Sequence, residues 1–237
     1  MKEGIVLKGV DYKESSKILY TLTANGVESI FAEGAKKIKS SKTALIQPLT
    51  LISFETTTNN RTLIDGEILN DFNNIKTDIK KMTLSLEIME MVYYFNETIA
   101  NKELLYTFTK TILERTNDAN DEYFYFLVFA LKLLYLLGVA PTLIKCLKCS
   151  TKDNLSFSVK SGGTVCVDHL DHFSKRYEVK DIDILRKLYL TNINDLKEFE
   201  IPIHQKKVIR GIIDEYYQDY LGYVTRSRKM VFSVFGY

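Results

Sequence analysis

Lys17-Ile-Leu-Tyr-Thr-Leu-Thr-Ala24, then Asn25-Gly26, then Val27-Glu-Ser-Ile-Phe-Ala-Glu33 is the stretch that decides the fold. The first segment alternates. Ile18, Tyr20 and Leu22 fall on one side, and Leu19, Thr21 and Thr23 fall on the other, which is the period of a strand. Asn-Gly is the strongest two-residue hairpin signal, because both central positions of the tightest hairpin turn need positive φ. Val27 to Glu33 then returns as a second strand, with Val27, Ser29 and Phe31 on one face. Working outward, Glu3 to Val10 carries the apolar run Gly-Ile-Val-Leu, and Ala44 to Thr57 and Thr62 to Leu69 supply two more strands around Asn59-Asn60-Arg61. Five strands with short turns and no helical period predict a small closed antiparallel barrel. The OB-fold is the common five-stranded solution, and a five-stranded SH3-like barrel shares the pattern.

Around Asn73 the period changes to that of a helix. Met82, Leu86, Met89 and Tyr93 fall on one stripe, with Ile88, Val92 and Phe95 beside it. Leu104 to Leu113 is a second helix. Tyr123 to Leu137 is a third, apolar nearly all round and so central to a bundle. It ends at Gly138, with Pro141 beyond. Leu155 to Val159 and Thr164 to Val165 form a small hairpin, Ile182 to Leu190 a short helix, and His204 to Leu221 a longer one. In that last helix Ile209, Ile212, Ile213, Tyr216 and Tyr220 point inward, and Gly222 stops it. The predicted fold is therefore α+β and multidomain. An OB-fold domain spans 1–73. A helical domain spans 74–237, with an inserted segment over about 141–175.

The chain has 237 residues and is 46% hydrophobic, ample for a real core. It contains no run of about 18 apolar residues, so no membrane span is expected. Its opening residues lack a signal-peptide core. Paired thiols without an export signal point to the reducing cytoplasm. Net charge is only +2, but its distribution is uneven. Residues 1–42 hold eight Lys against five acids, and residues 222–237 hold Arg226, Arg228 and Lys229 with no acid. Basic ends of this kind suit a polyanion or simply a soluble surface.

All three cysteines lie in Cys146-Leu-Lys-Cys149 and Cys166-Val-Asp-His169. Two pairs, each with two residues between its members, match the spacing of a tetrahedral structural zinc site. Each turn aims two ligands at one point. Four candidates fill the shell and leave no open position for catalysis. A redox pair would want a βαβ setting, which is absent, and buried free thiols would want a less polar neighbourhood than Lys145, Lys148, Asp153 and Asp168 provide. The fourth ligand is His169 by offset, with His172 and Asp168 as substitutes.

No nucleophile elbow, phosphate loop, dinucleotide fingerprint or H-E-x-x-H occurs, so no catalytic residue is assigned. Glu87 and Glu90 form an acidic pair of the sort usually found on a solvated helix face. Gly34-Ala-Lys-Lys-Ile-Lys-Ser-Ser-Lys42 carries Lys36, Lys37, Lys39 and Lys42 and no acid. On a loop these lysines would neutralise phosphates without reading bases. Lys13, Lys17, Arg61, Arg226, Arg228 and Lys229 could extend the patch, and Tyr12 and Phe31 could stack single-stranded bases. A solvated charged loop is the plainer reading of the same residues.

Taken together, the order of motifs resembles the RecO recombinational repair mediators of bacteria. The segments that carry the resemblance are Glu3-Gly-Ile-Val-Leu-Lys8, Tyr12-Lys-Glu-Ser-Ser-Lys-Ile-Leu19, Gly34 to Ser40 followed by Leu45-Ile-Gln-Pro-Leu49, Leu137-Gly-Val-Ala-Pro141 leading to Cys146, and Arg226-Ser-Arg-Lys229. The resemblance implies binding of single- and double-stranded DNA, annealing of complementary strands and no enzymatic activity. It implies partnership with RecR, contact with the single-stranded DNA-binding protein, and indirect help to RecA, in the cytoplasm at the nucleoid. Many zinc-bearing members end the second pair in Cys, where this chain has His169. The other reading is a zinc-stabilised interaction adaptor whose DNA contact is incidental.

Overall fold

A computed structural model describes residues 1–37, 40, 42–59, 61–172 and 175–236. Five strands come first: β1 Lys2–Tyr12, β2 Ser16–Thr23, β3 Gly26–Ala32, β4 Thr50–Thr56 and β5 Leu63–Asn70. They form one antiparallel sheet in the order β3-β2-β1-β4-β5. At its ends, Phe31 of β3 donates its N–H to the Arg61 carbonyl at 3.0 Å, and Phe31 pairs in parallel with Thr62. Among the described residues no ladder joins the two edges beyond that bridge and its hydrogen bond, so the sheet is not the closed barrel expected. The chain turns at Arg61, where φ is 48°, and β5 approaches β3 without forming a ladder with it. The connectivity, a three-stranded meander followed by a crossover that sets β4 beside β1, remains that of an OB-type Greek key.

The hairpin between β2 and β3 stands where the alternation places it, but its turn differs. Thr23 pairs with Gly26, so Ala24 and Asn25 make the bend. Gly26 alone takes positive φ, at 99°, while Asn25 does not. The loop is two residues long as expected, but it is centred one residue earlier, on Ala24 and Asn25 instead of Asn25 and Gly26. The predicted strand over Ala44–Thr57 also begins late, at Thr50. Pro48 removes a donor and Leu49 sits at φ 56°, both incompatible with a ladder. Residues 42–46 instead coil back and bury Leu45 and Ile46 under the sheet.

Two cores result. Val6, Leu19, Ile30, Ala32, Leu45, Ile46, Ile52, Phe54 and Leu63 fill the inside of the sheet. The outer face is covered at one end only, where Ile5, Leu7 and Leu22 join the main helical core. The helices are α1 Asn73–Thr77, α2 Ile79–Phe95, α3 Lys102–Asn117, α4 Glu122–Leu136, α5 Val179–Leu190, α6 Ile203–Leu221 and α7 Arg228–Phe235. Helix α4 is central, as its all-round apolar sequence predicts, with ten of its side chains from Tyr123 to Leu134 among the buried hydrophobics besides Ala130. Asp78, Asn101 and Asp121 cap α2, α3 and α4 by accepting backbone N–H groups of the first turn. Gly138 and Gly222 close α4 and α6 in left-handed conformation, at φ 73° and 60°.

The stripe on α2 is rotated from the one expected. Met89 of the expected stripe is buried, with Leu84, Ile88, Met91, Val92 and Phe95, and Met82 and Leu86 pack on the core's edge, whereas Tyr93 is exposed. On α6, Ile209, Ile212, Ile213 and Tyr216 point inward as expected, but Tyr220 is 40% exposed. His204 is exposed and caps nothing. Helix α7 has no counterpart in the sequence reading. The seam between sheet and helices is polar at its rim. Glu3 takes hydrogen bonds from Tyr106 and Lys110 at 2.5 Å each, and Asn96 accepts the Val27 N–H at 3.0 Å. Lys110 and Tyr106 hold the Glu3 carboxyl below its ordinary range.

Candidate functional site

The thiol pairs are brought together by the connection from α4 to α5. Strands β6 Leu155–Ser158 and β7 Gly163–Cys166 form a hairpin. Its register delivers Cys166 opposite Leu155 and leads into a short 3-10 turn, Val167–His169, that swings His169 back over the cysteines. The hairpin is pinned to the strand-like segment before Cys146. Thr142 donates its N–H to the Gly162 carbonyl at 3.1 Å, and its carbonyl accepts from Thr164 N at 2.8 Å. The approach is so close that a Cβ on Gly163 would stand 2.2 Å from the Thr142 carbonyl oxygen, so no larger residue fits. Phe157, Leu155 and Val165 plug into the main helical core. The segment therefore shares its neighbours' core rather than standing apart.

The sulfurs of Cys146, Cys149 and Cys166 and a ring nitrogen of His169 all lie within 4.8 Å of one another. Cys149 and Cys166 sulfurs are 3.7 Å apart, and Cys146 Sγ lies 3.9 Å and Cys166 Sγ 3.1 Å from His169 Nδ1. Tetrahedral bonding at zinc's usual distances puts two sulfurs about 3.8 Å apart and sulfur about 3.6 Å from nitrogen. The spacing fits a metal of that size. Electrostatics agree. Burial pushes the Cys146 thiol up, but backbone N–H groups of Cys166, Cys149 and Lys148 outweigh it and bring it down to about 6. Burial, together with hydrogen bonds to the Cys149 and Cys146 thiols, pushes the Cys166 thiol the other way. Three sulfurs this close resist ionising together unless a cation joins them. Cys146 and Cys166 are buried, Cys149 and His169 exposed. Among the described residues this cluster includes neither His172 nor Asp168.

The basic loop leaves β3 through Gly34, at φ 64°. Lys36 and Lys37 are exposed there. Lys36 N–H donates to the Ser15 carbonyl at 2.9 Å, which ties the loop to the turn between β1 and β2. Lys36 Nζ reaches Asp11 at 2.8 Å, and Lys17 Nζ lies 3.6 Å from the same carboxylate. Lys36 thereby holds the Asp11 carboxyl below its ordinary range. Lys42 turns away from the loop and donates to the Leu63 carbonyl at 2.6 Å. Lys13 and Arg61 are exposed, both at positive φ, and Lys13 lies over the Tyr12 ring at 5.5 Å. Tyr12 and Phe31 meet edge to face at 5.6 Å. Lys39 lies outside the described residues. The structure thus gathers Lys13, Lys17, Lys36 and Lys37 at one end of the sheet and commits Lys42 to the fold.

The second basic group sits between α6 and α7. Arg226, Arg228 and Lys229 line a groove of 830 Å³ with Lys207 and Phe232. What holds them is the acidic pair on α2, which is not the solvated pair expected. Glu87 is fully buried and takes both Arg210 guanidinium nitrogens, at 2.6 and 3.0 Å, and the Thr225 hydroxyl at 2.7 Å. Glu90 accepts the backbone N–H groups of Arg226 and Ser227, at 2.6 and 3.1 Å, and the Ser227 hydroxyl at 2.8 Å. Asp214 bonds Arg210 Nε at 2.7 Å and approaches Arg228 at 3.5 Å. Burial alone would push the Arg210 guanidinium down, but Glu87 and Asp214 hold it well above its ordinary value.

Against known families, residues 1–70 match the model described as Recombination protein O N terminal, and residues 76–229 match Recombination protein O C terminal. The chain belongs to the RecO family. It is 29% identical to the DNA repair protein RecO of Listeria monocytogenes serotype 4b, over 97% of this chain and 92% of the relative. It is 26% identical to proteins of the same name from Halalkalibacterium halodurans and Bacillus pumilus, with the same coverage. Among the described residues, no helix of this RecO-family chain is long and apolar enough to cross a membrane.

Sequence reading found the ligand cluster because its spacing is local. It missed the acids that place the C-terminal basic group, since Glu87 meets Arg210 across 123 residues of chain. It also missed the aromatic seam at Tyr20, Tyr93 and Lys8. There the Tyr20 and Tyr93 rings lie 5.2 Å apart, and Lys8 Nζ sits 3.4 Å from the Tyr93 ring centre. Alternation marks the face of Tyr20 but not what packs on it.

Proposed function

We propose that this chain is a non-enzymatic DNA repair and recombination mediator. It binds single- and double-stranded DNA, anneals complementary strands, and helps load the recombinase RecA onto DNA coated by the single-stranded DNA-binding protein, in partnership with RecR. Family membership along most of the chain supports this reading, as do relatives named DNA repair protein. The observation that carries the DNA contact is the exposed Lys36–Lys37 turn, set beside Lys13, Lys17 and the Tyr12–Phe31 pair. Annealing breaks and makes no covalent bond. It needs a cationic surface that screens two like-charged strands. Lys36, Lys37, Lys39 and Lys13 provide the first contacts, with Lys17, Arg61, Arg226, Arg228 and Lys229 secondary. Lys42 acts through the loop's shape.

Residues 1–73 are proposed as the nucleic-acid-binding unit and 74–237 as the helical unit. The segment 141–175 holds a structural zinc on Cys146, Cys149, Cys166 and His169. Zinc there would supply the positive charge that lets the thiolates coexist. The protein is placed in the cytoplasm, at the nucleoid when acting.

A salt titration tests the DNA contact. Changing Lys36, Lys37 and Lys39 together to Ala should lower the slope of log affinity against log salt by about 2 for duplex DNA. Unchanged affinity and slope would move the chain to the interaction-adaptor reading.

A further inference from the structure

The outer face of the sheet carries a row of residues that runs out from beneath the helices. Lys8 stands opposite Tyr20 and Val10 opposite Ile18, and across the next pair of strands Ile18 stands opposite Phe31. Residues opposite one another share a face. Tyr12, edge to face with Phe31, ends the row beside the lysine loop. Val10 and Tyr12 are 48% and 42% exposed, far above what a covered sheet face leaves open.

At the other end the row meets α2. Tyr93 packs on Tyr20, Lys8 lies between and over both rings, and the next residue, Tyr94, is 57% exposed. Tyr94 is braced from behind by Phe95 and Tyr223, at 4.9 and 4.4 Å. Lys8, Tyr93, Tyr94 and Arg226 line one groove of 480 Å³. The carboxylate in that groove, Glu90, is occupied by backbone N–H groups and the Ser227 hydroxyl. Its charge is thereby spent on placing Arg226.

The geometry points to a continuous track for single-stranded DNA. The track starts at the lysine loop, crosses the outer sheet face over Phe31 and Tyr20, and ends in the groove at the seam, where Tyr94 stacks a base and Arg226 and Lys8 meet flanking phosphates. It rests on the DNA-binding reading above and adds to it a path for the strand and a base-stacking subsite at the seam. Aromatic faces alternating with cations suit unpaired bases, because every base has a ring to stack and a duplex hides them. One basic loop can serve both forms of DNA, while the seam selects the unpaired one.

Two measurements test this on the full-length protein. Tyr94→Ala should weaken binding of an oligothymidylate about tenfold and leave duplex affinity within about twofold, while Tyr94→Phe restores the parent value. In the unaltered protein, photocrosslinking of 5-iododeoxyuridine oligonucleotides should label Tyr94, Tyr93 or Tyr20. Crosslinks confined to the lysine loop, or a Tyr94→Ala variant with unchanged single-strand affinity, would overturn the track while leaving the DNA-binding reading intact. Parent protein that binds neither form of DNA would remove that reading first.

Discussion

Glu87→Ala should melt roughly 10 °C below the parent protein. The acid is fully buried, and its partner Arg210 has a side chain only 7% exposed. Arg210 also lies over the Phe126 ring at 4.6 Å. Removing the acid leaves a guanidinium in the core with Asp214 as its remaining anion. Breaking a buried pair from one side costs about 3–5 kcal/mol. In a chain of this size each kcal/mol lowers the melting temperature by about 2–4 °C. The loss should concentrate where the network leads. Thr225 hangs on Glu87, so backbone amides of residues 224–235 should lose protection from hydrogen exchange ahead of α4. Replacing both partners together, Glu87→Leu with Arg210→Leu, should recover much of the stability, because no orphan charge remains. A shift of less than about 2 °C in Glu87→Ala would show that water or Asp214 already satisfies Arg210, and the network would lose its role.

Stripping the metal is expected to have an effect of similar size but a different shape. A ligand held at about a thousand times its dissociation constant stabilises by about 4 kcal/mol, or about 10 °C here. Since Phe157, Leu155 and Val165 belong to the common core, the hairpin should loosen without taking the sheet with it. Chelation should therefore open amides in 142–169 first and leave DNA affinity at the lysine loop little changed. Cys146→Ser should reproduce the effect, because Cys146 is buried at the centre of the cluster. His169→Ala is the informative variant. Reduced zinc content supports His169 as the fourth ligand, and unchanged content would pass that place to His172 or Asp168. Protein free of metal that melts with the parent would sink the structural role.

Local spacing made part of this legible. The alternation around Asn25-Gly26 located two strands, and the paired Cys spacing located the cluster of Cys146, Cys149, Cys166 and His169. Both patterns are written within a few tens of residues. Reading stopped where a second segment decides the outcome. Leu45 and Ile46 look like strand residues until the chain folds them under the sheet. Apolar side chains on more than one side of α2 left its buried stripe ambiguous, because α4, α3 and α7 approach from different directions. Glu87 and Glu90 read as an exposed pair because helices commonly carry such pairs, and nothing nearby announces Arg210. The lysine loop was legible as charge, but the commitment of Lys42 to the Leu63 carbonyl was not.

The shared carboxylate of Asp11 has a consequence for counting ions. Lys17 and Lys36 already face an anion of their own chain. When a phosphate takes either lysine, DNA sheds a condensed cation, and the vacated Asp11 collects one from solution. The exchange is nearly even, so such a contact adds affinity with little net release of salt. Among the described residues Lys37 has no such carboxylate, so on the proposed DNA contact a measured slope should count Lys37 before Lys36 and understate how many lysines touch the strand.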